Sequence, residues 1–95
     1  MMAVYVIGHI SVKDEVKWKA YRSKVPDTLV PWGAELVFRG SKSVVFSGVH
    51  PQSDTVIIRF PGQESARGWY YSSAYQALIP LREEAAEVVL VGFDE

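Results

Sequence analysis

The sequence predicts an α+β fold with the element order βαββαβ. Four short segments rich in β-branched and aromatic residues predict strands, and two segments with apolar residues three and four apart predict helices. Glycine and proline lie at several of the boundaries between these segments. With 95 residues, the chain is long enough for one domain, predicted to span residues 1–95, with one modest core.

The first strand is predicted over residues 3–12, which are mostly β-branched, aromatic or small. Val4 and Val6 occupy one set of alternating positions, and Tyr5 and Ile7 occupy the other. Because both sets are apolar, we expect this strand in the interior of a sheet that is covered on both faces.

A helix is predicted from residue 15, with apolar residues three and four apart as far as Trp32. Pro26 is expected to kink this helix because proline removes one i→i−4 hydrogen bond. Pro31 and Gly33 are expected to end it.

The second strand is predicted from residue 34, with Leu36 and Phe38 alternating along it. Residues 40–43 interrupt the pattern before it resumes, so residues 34–46 form either a tight hairpin or one strand with a bulge. The third strand is predicted over residues 55–60.

Helical spacing returns at residues 63–71, and Ser73 and Gln76 fit a capping box that opens a second helical piece. Pro80 is expected to kink that piece near its middle. Residues 87–93 predict the closing strand, which is again apolar at both sets of alternating positions.

Right-handed crossovers place both helices on one face of the sheet, which leaves the other face without a cover. Because the first and last strands carry apolar residues on both sides, this second face also requires a cover. The economical solution is a second copy of the chain, sheet against sheet, in a two-fold homodimer.

Composition excludes several classes of protein. The absence of cysteine excludes disulfide frameworks, thiolate zinc sites and iron–sulfur ferredoxins. A net charge of −1 and the lack of a Gly-aromatic-Gly signature in residues 54–60 disfavour an RNA-recognition domain. No apolar run is long enough for a membrane span, and the N-terminus lacks the features of a signal peptide, so we expect a cytoplasmic protein.

A family resemblance rests on residues 60–76, which read Phe-Pro-Gly-Gln-Glu-Ser-Ala-Arg-Gly-Trp-Tyr-Tyr-Ser-Ser-Ala-Tyr-Gln, and on Pro-Leu-Arg at residues 80–82. This pattern resembles the hallmark of the bacterial domain-of-unknown-function family "thirteen-thirty". Arg59 and Ala74 stand where that family usually has acidic residues. Any chemical role of those acidic residues is therefore in doubt for this chain.

The resemblance implies a ferredoxin-like βαββαβ sandwich forming a dimeric α+β barrel, and it implies no established reaction. The wider superfamily holds cofactor-free monooxygenases, muconolactone-isomerase-like enzymes, stress-responsive barrel proteins and haem-dependent members. A haem site here would depend on His9 alone, and we expect no cofactor and no metal.

His9 and Arg39 are the candidate catalytic residues. His9 lies near the end of the first strand and titrates in the range of a general base, and Arg39 could stabilise an anion or an oxyanion. Because the first two strands run parallel in this topology, the two side chains could meet at one end of the sheet. The alternatives are a histidine satisfied by the backbone and an arginine in an ordinary ion pair.

Tyr21, Trp69 and Tyr75 are the candidate substrate-binding residues. Aromatic side chains at helical spacing more often pack in a core or an interface than bind a ligand. In this superfamily, however, small apolar ligands bind between the first helix and the sheet. Arg59 is expected at the rim of the dimer interface, and His50 is expected to face solvent.

Two functions remain open from the sequence. The first is a cofactor-free enzyme, monooxygenase- or isomerase-like, that acts on a small aromatic or anionic molecule. The second is a non-catalytic, ligand-binding or stress-associated dimer. In both, the expected partners are a second copy of the chain and a small-molecule ligand, with no nucleic acid and no membrane.

Overall fold

In the computed structural model, which describes residues 3–95, four strands and four α-helices follow the predicted order. The elements are β1 (Val4–Val12), α1 (Glu15–Leu29), a 3₁₀ turn (Val30–Trp32), β2 (Glu35–Ser41), β3 (Asp54–Phe60), α2 (Gln63–Tyr71), α3 (Ser73–Gln76), α4 (Ile79–Ala85) and β4 (Ala86–Asp94). Met1 and Met2, which the predicted domain includes, lie outside the described residues.

The strands form one antiparallel sheet in the order β2-β3-β1-β4. β1 pairs with β3 on one side and with β4 on the other, which confirms its predicted interior position. Val4, Val6 and Ile10 are buried in the core beneath the helices. Tyr5 and Ile7 lie on the opposite face, because successive side chains of a strand alternate between its two faces.

The second strand ends earlier than predicted. β2 stops at Ser41, and residues 44–46 lie in an irregular segment (residues 42–53) instead of a resumed strand. The ends of this segment are held by backbone hydrogen bonds from Lys42 N–H to the Ser53 carbonyl (2.6 Å) and from Ser53 N–H to the Ile10 carbonyl (3.1 Å). Neither a tight hairpin nor a continuous strand over residues 34–46 is therefore correct.

A β-bulge lies in β2 between Leu36 and Phe38. Leu36 pairs with Ile58 and faces the helices, whereas Phe38 pairs with Ile57 and faces away from them. The expectation that Leu36 and Phe38 share a face is therefore wrong, because a bulge adds one residue and reverses the alternation beyond it.

Helix α1 begins where a carboxylate satisfies its first turn. An oxygen of Asp14 accepts the N–H of Lys17 at 3.1 Å, as expected of an N-cap residue. The helix continues through Pro26 to Leu29. The 3₁₀ turn that follows ends at Gly33, whose φ of 65° is left-handed and favours glycine. The predicted end of the first helical region is confirmed.

The second helical region differs in two details from the prediction. Ser72, not Ser73, caps α3, because its Oγ accepts the N–H of Tyr75 at 3.2 Å. Pro80 lies in the first turn of α4, where no intrahelical partner for its nitrogen is needed, so it starts a helix instead of kinking one.

The core lies between the helices and the sheet, and its largest fully buried side chains are Phe60, Trp69 and Tyr75. The Trp69 ring lies with its centroid 5.4 Å from that of Phe60 and 4.2 Å from that of Tyr75. Trp18 and Tyr21 of α1 stack with centroids 5.2 Å apart on the other side of this cluster. These five side chains thus form one continuous aromatic group inside the molecule, with Tyr70 beside Trp69 and Tyr75.

We call the face of the sheet away from the helices the open face. It carries Tyr5, Ile7 and His9 of β1, Phe38 of β2, Thr55, Ile57 and Arg59 of β3, and Val89, Val91 and Phe93 of β4. In one chain Phe38, Val89 and Phe93 are about half exposed. No helix or strand within residues 3–95 covers this face, as the sequence predicted, and His50 of the irregular segment contacts it at His9.

The predicted α+β class and the βαββαβ order are confirmed. Among the helices of residues 3–95, none is both long enough and apolar enough to cross a membrane.

Candidate functional site

A cavity of about 200 Å³ lies between α1 and the sheet. Trp18 and Leu29 of α1 face Val56 of β3 and Leu90 of β4 across it. Val56 and Leu90 approach each other over Gly8, where a Cβ atom would lie 2.9 Å from Val56 Cγ1 and 3.1 Å from Leu90 Cδ2. The body of this cavity is apolar and suits a small apolar molecule.

Two arginines lie at one end of the cavity. Arg22 of α1 and Arg39 of β2 line it together with Ile10 and Trp18, and the same four residues line an adjoining space of about 250 Å³. Asp54 lines only the adjoining space. We call this end, with Arg22, Arg39 and Asp54, the mouth. Its two guanidinium groups and one carboxylate leave it with a positive charge.

Arg22 and Arg39 are both exposed, so the mouth opens to solvent. Partial burial lowers the pKa of Arg39 from its ordinary value, and the positive charge of the neighbouring Arg22 lowers it further. Within residues 3–95 neither guanidinium takes part in an ion pair. An anion bound between the two arginines would relieve their mutual repulsion.

The bulge in β2 determines which face Arg39 occupies. Arg39 pairs with Val56, and both face the helices and line the cavity. If β2 alternated without interruption after Leu36, Arg39 would lie on the open face instead. The extra residue at Val37 therefore places a cation in the candidate site.

A buried hydrogen-bonded chain lies beside the cavity. Tyr21, which lines the cavity, lies with its Oη 2.8 Å from the Oη of Tyr75. Arg82 Nη1 donates to the Tyr75 hydroxyl at 3.0 Å, and Arg82 Nη2 donates to Glu83 Oε1 at 3.1 Å. Burial alone would lower the pKa of Arg82, but the hydrogen bonds to Tyr75 and Glu83 outweigh it and raise that pKa. Arg82 is therefore a permanent buried cation.

Trp69 connects the cavity with the core. Its indole Nε1 donates to Thr28 Oγ1 at 2.9 Å, and Thr28 in turn donates to the Val25 carbonyl at 2.6 Å. Trp69 also lines a wider, open cleft of about 430 Å³ on its other side, with Arg67 and Tyr70. We take the smaller cavity as the candidate site because it combines apolar walls with unpaired cations at one end.

The structure does not bring His9 and Arg39 together. His9 pairs with Thr55 and Val89 and lies on the open face, whereas Arg39 faces the helices. The strand directions predict that both side chains lie at one end of the sheet, but the two side chains point to opposite faces of it. A joint role on one substrate in this cavity is therefore not supported by the geometry.

His9 has neighbours on its own face. Its ring makes an edge contact with His50, with centroids 4.9 Å apart, and its Nδ1 lies 3.4 Å from Thr55 Oγ1. His50 is half-buried by this contact instead of facing solvent freely. Arg59 lies on the open face, with its Nη1 3.8 Å from Glu35 Oε1, and its place at an interface rim stays a prediction.

Of the three predicted substrate-binding residues, two line the cavity. Tyr21 and Trp69 line it, whereas Tyr75 lies behind Tyr21 and is joined to it by the hydrogen bond between their hydroxyls. All three are also buried core residues, so packing and lining the cavity are not alternatives here.

The family model described as a domain of unknown function, DUF1330, matches residues 3–94. The chain belongs to this family. The resemblance drawn from residues 60–76 is thereby confirmed, and the buried Trp69, Tyr75 and Arg82 are the residues of that pattern with the clearest structural role. Among curated proteins, none matches the sequence of this DUF1330 domain.

The DUF1330 domain is similar in fold to solved structures that are described as ferredoxin-like. A protein of unknown function from Rhodopseudomonas palustris is similar with a TM-score of 0.83 and 11% identity, over 97% of this chain and 81% of that one. SnoaB, a cofactor-independent oxygenase from Streptomyces nogalater, is similar with a TM-score of 0.72 and 7% identity, over 98% and 92%.

A third similar structure is described as a dimeric ferredoxin-like protein of unknown function, from Thermobifida fusca. Its TM-score is 0.65 at 12% identity, over 99% of this chain and 92% of that one. At these identities the similarity establishes the fold of the DUF1330 domain and nothing about its chemistry.

Sequence reasoning missed two residues of the site. Arg22 lies one position after Tyr21, on the polar side of the α1 pattern, and gave no signal of its own. Arg82 is part of the family pattern, but the adjacent Glu83 and Glu84 suggest a solvent-exposed helix end and give no signal of its burial. The position of each depends on contacts between elements far apart in the chain.

Proposed function

We propose that this DUF1330 domain binds a small, mostly apolar anion, such as an aromatic carboxylate, in the cavity between α1 and the sheet. The observation that supports it best is the pair of guanidinium groups, Arg22 and Arg39, without ion-pair partners in residues 3–95, at the end of an apolar cavity. The apolar body of such a ligand matches the apolar walls of the cavity, and its anionic end matches the two guanidinium groups.

Arg39→Met is expected to weaken the binding of benzoate at least about tenfold, because a charge-assisted hydrogen bond is lost. Isothermal titration calorimetry with benzoate and with benzyl alcohol, its neutral counterpart, measures the effect. Benzyl alcohol should bind the wild-type protein more weakly than benzoate and should be insensitive to the substitution.

Arg67→Met is the matched control, since Arg67 is exposed on α2 and lies outside the cavity. It should bind benzoate like the wild-type protein. Equal affinity of the Arg39→Met and wild-type proteins for benzoate would contradict the proposal.

A second copy of the chain is proposed to cover the open face. The half-exposed Phe38, Val89 and Phe93 support this, and so does the description of a similar protein as dimeric. The segment of residues 42–53 adds exposed apolar side chains at one edge, Phe46 and Val49 among them.

Catalysis is the second candidate function that the sequence leaves open, and SnoaB shows that a similar fold can carry a cofactor-independent oxygenase. His9 lies on the open face, and this position does not support a role as a base in the cavity. The catalytic role of His9 stays a prediction from the sequence. Recovery of a bound ligand in unaltered form after aerobic incubation would favour binding alone. The cytoplasmic location also stays a prediction from the sequence.

A further inference from the structure

The hydrogen-bonded chain of Arg82, Tyr75 and Tyr21 has a direction. A guanidinium can only donate, so the Tyr75 hydroxyl accepts from Arg82 Nη1. Tyr75 is fully buried, and within residues 3–95 the only other partner of its hydroxyl is the hydroxyl of Tyr21.

Each phenol has one proton, which leaves two arrangements. If Tyr21 donated to Tyr75, the proton of Tyr75 would have no acceptor inside the protein, and an orphaned buried donor is costly. If Tyr75 donates to Tyr21, the one proton without an acceptor in residues 3–95 is that of Tyr21, which lines the cavity, where water or a ligand can accept it. The second arrangement is therefore the stable one.

The free proton belongs to a residue that lines the cavity. Burial raises the pKa of Tyr21 above its ordinary value, and the neighbouring Tyr75 hydroxyl raises it further. Tyr21 therefore remains a neutral phenol that can donate a hydrogen bond. The fixed positive charge of Arg82 polarises Tyr75, and Tyr75 polarises Tyr21 in the same sense.

We infer that Tyr21 donates a polarised hydrogen bond to a second oxygen of the ligand, so that the cavity selects apolar anions that also bear a carbonyl group. The inference rests on the proposed function, because the anionic end of the ligand is assigned to Arg39. It narrows the ligand class from aromatic carboxylates in general to acyl- or oxo-substituted ones. Tyr75 and Arg82 are positioning residues that act through Tyr21.

The test compares acids with the same number and connectivity of heavy atoms, with and without the carbonyl oxygen. The probes are 3- and 4-acetylbenzoate and their counterparts 3- and 4-isopropylbenzoate, titrated by calorimetry into the wild-type protein. At least one acetyl acid should bind about tenfold more tightly than its isopropyl counterpart. Tyr21→Phe should abolish that preference while both acids still bind through Arg39.

Tyr70→Phe is the matched control, because Tyr70 belongs to the same aromatic group but its hydroxyl makes no hydrogen bond within residues 3–95 and does not line the cavity. It should keep the preference. If Tyr21→Phe fails to fold, Tyr75→Phe tests the same chain and should reduce the preference severalfold, since the Tyr21 donor is no longer polarised.

The outcomes separate the two proposals. Equal affinity of wild-type protein for acetyl and isopropyl acids, or a preference that survives Tyr21→Phe and Tyr75→Phe, would overturn the inference and leave the proposed function standing. Failure of benzoate and of all four acids to bind the wild-type protein would overturn both.

Discussion

Replacement of Trp69 by alanine is expected to lower the free energy of unfolding by about 3–5 kcal/mol, the range for truncating a buried aromatic side chain. Trp69 is 2% exposed and packs against Phe60 and Tyr75, so little can move into the space it leaves. The substitution also removes the donor to Thr28 Oγ1. Small domains have total stabilities of only about 5–15 kcal/mol, so this single change removes a large share.

The measurement is urea unfolding followed by far-ultraviolet circular dichroism at one protein concentration, because a dimer's stability depends on concentration. Trp69→Phe keeps a ring but loses the indole donor, and it should fall between the wild-type and alanine proteins. Tyr71→Ala, two positions along α2 and 70% exposed, is the matched control and should change stability by less than about 1 kcal/mol. A loss below about 1 kcal/mol for Trp69→Ala would show that the aromatic group is not the core.

Val91→Glu is expected to separate the proposed dimer into monomers. Val91 lies opposite Ile7 on the open face, and in a two-fold dimer the substitution buries two carboxylates without partners. Because an uncompensated buried charge costs several kcal/mol, the dissociation constant should rise at least about 100-fold. Sedimentation equilibrium over a series of protein concentrations measures it.

Val16→Glu is the matched control, since Val16 is 79% exposed on α1 and lies away from the open face. It should remain as dimeric as the wild-type protein. A wild-type protein that sediments as a monomer, or a Val91→Glu protein that sediments as a dimer with native circular dichroism, would contradict the proposed dimer.

Most of the fold could be predicted from the sequence, because it depends on local patterns. The prediction of β1 from its alternating apolar residues is correct, and so is the prediction of α1 from the spacing of Trp18, Tyr21 and Leu29. The errors occurred where one residue decides between neighbouring arrangements. Ser72 and Ser73 are chemically identical caps, and only the backbone of the preceding helix end selects Ser72.

The candidate site could be predicted only in part. The aromatic lining followed from helical spacing and from the family resemblance, and Tyr21 and Trp69 do line the cavity. The side of the sheet on which Arg39 lies could not be predicted, because it depends on a bulge that appears in the sequence only as an unremarkable valine, Val37. For the same reason, the sequence did not reveal that His9 and Arg39 lie on opposite faces of the sheet.

Trp69 lines both the cavity under α1 and the open cleft beside α2, together with Val88 and Leu90. The same side chain therefore contributes both to the core and to the wall of the cavity. A designed variant with a smaller residue here would enlarge the cavity and would need compensating packing around Phe60 and Tyr75. Ligand size and thermal robustness should therefore vary in opposite directions among designed variants of this position.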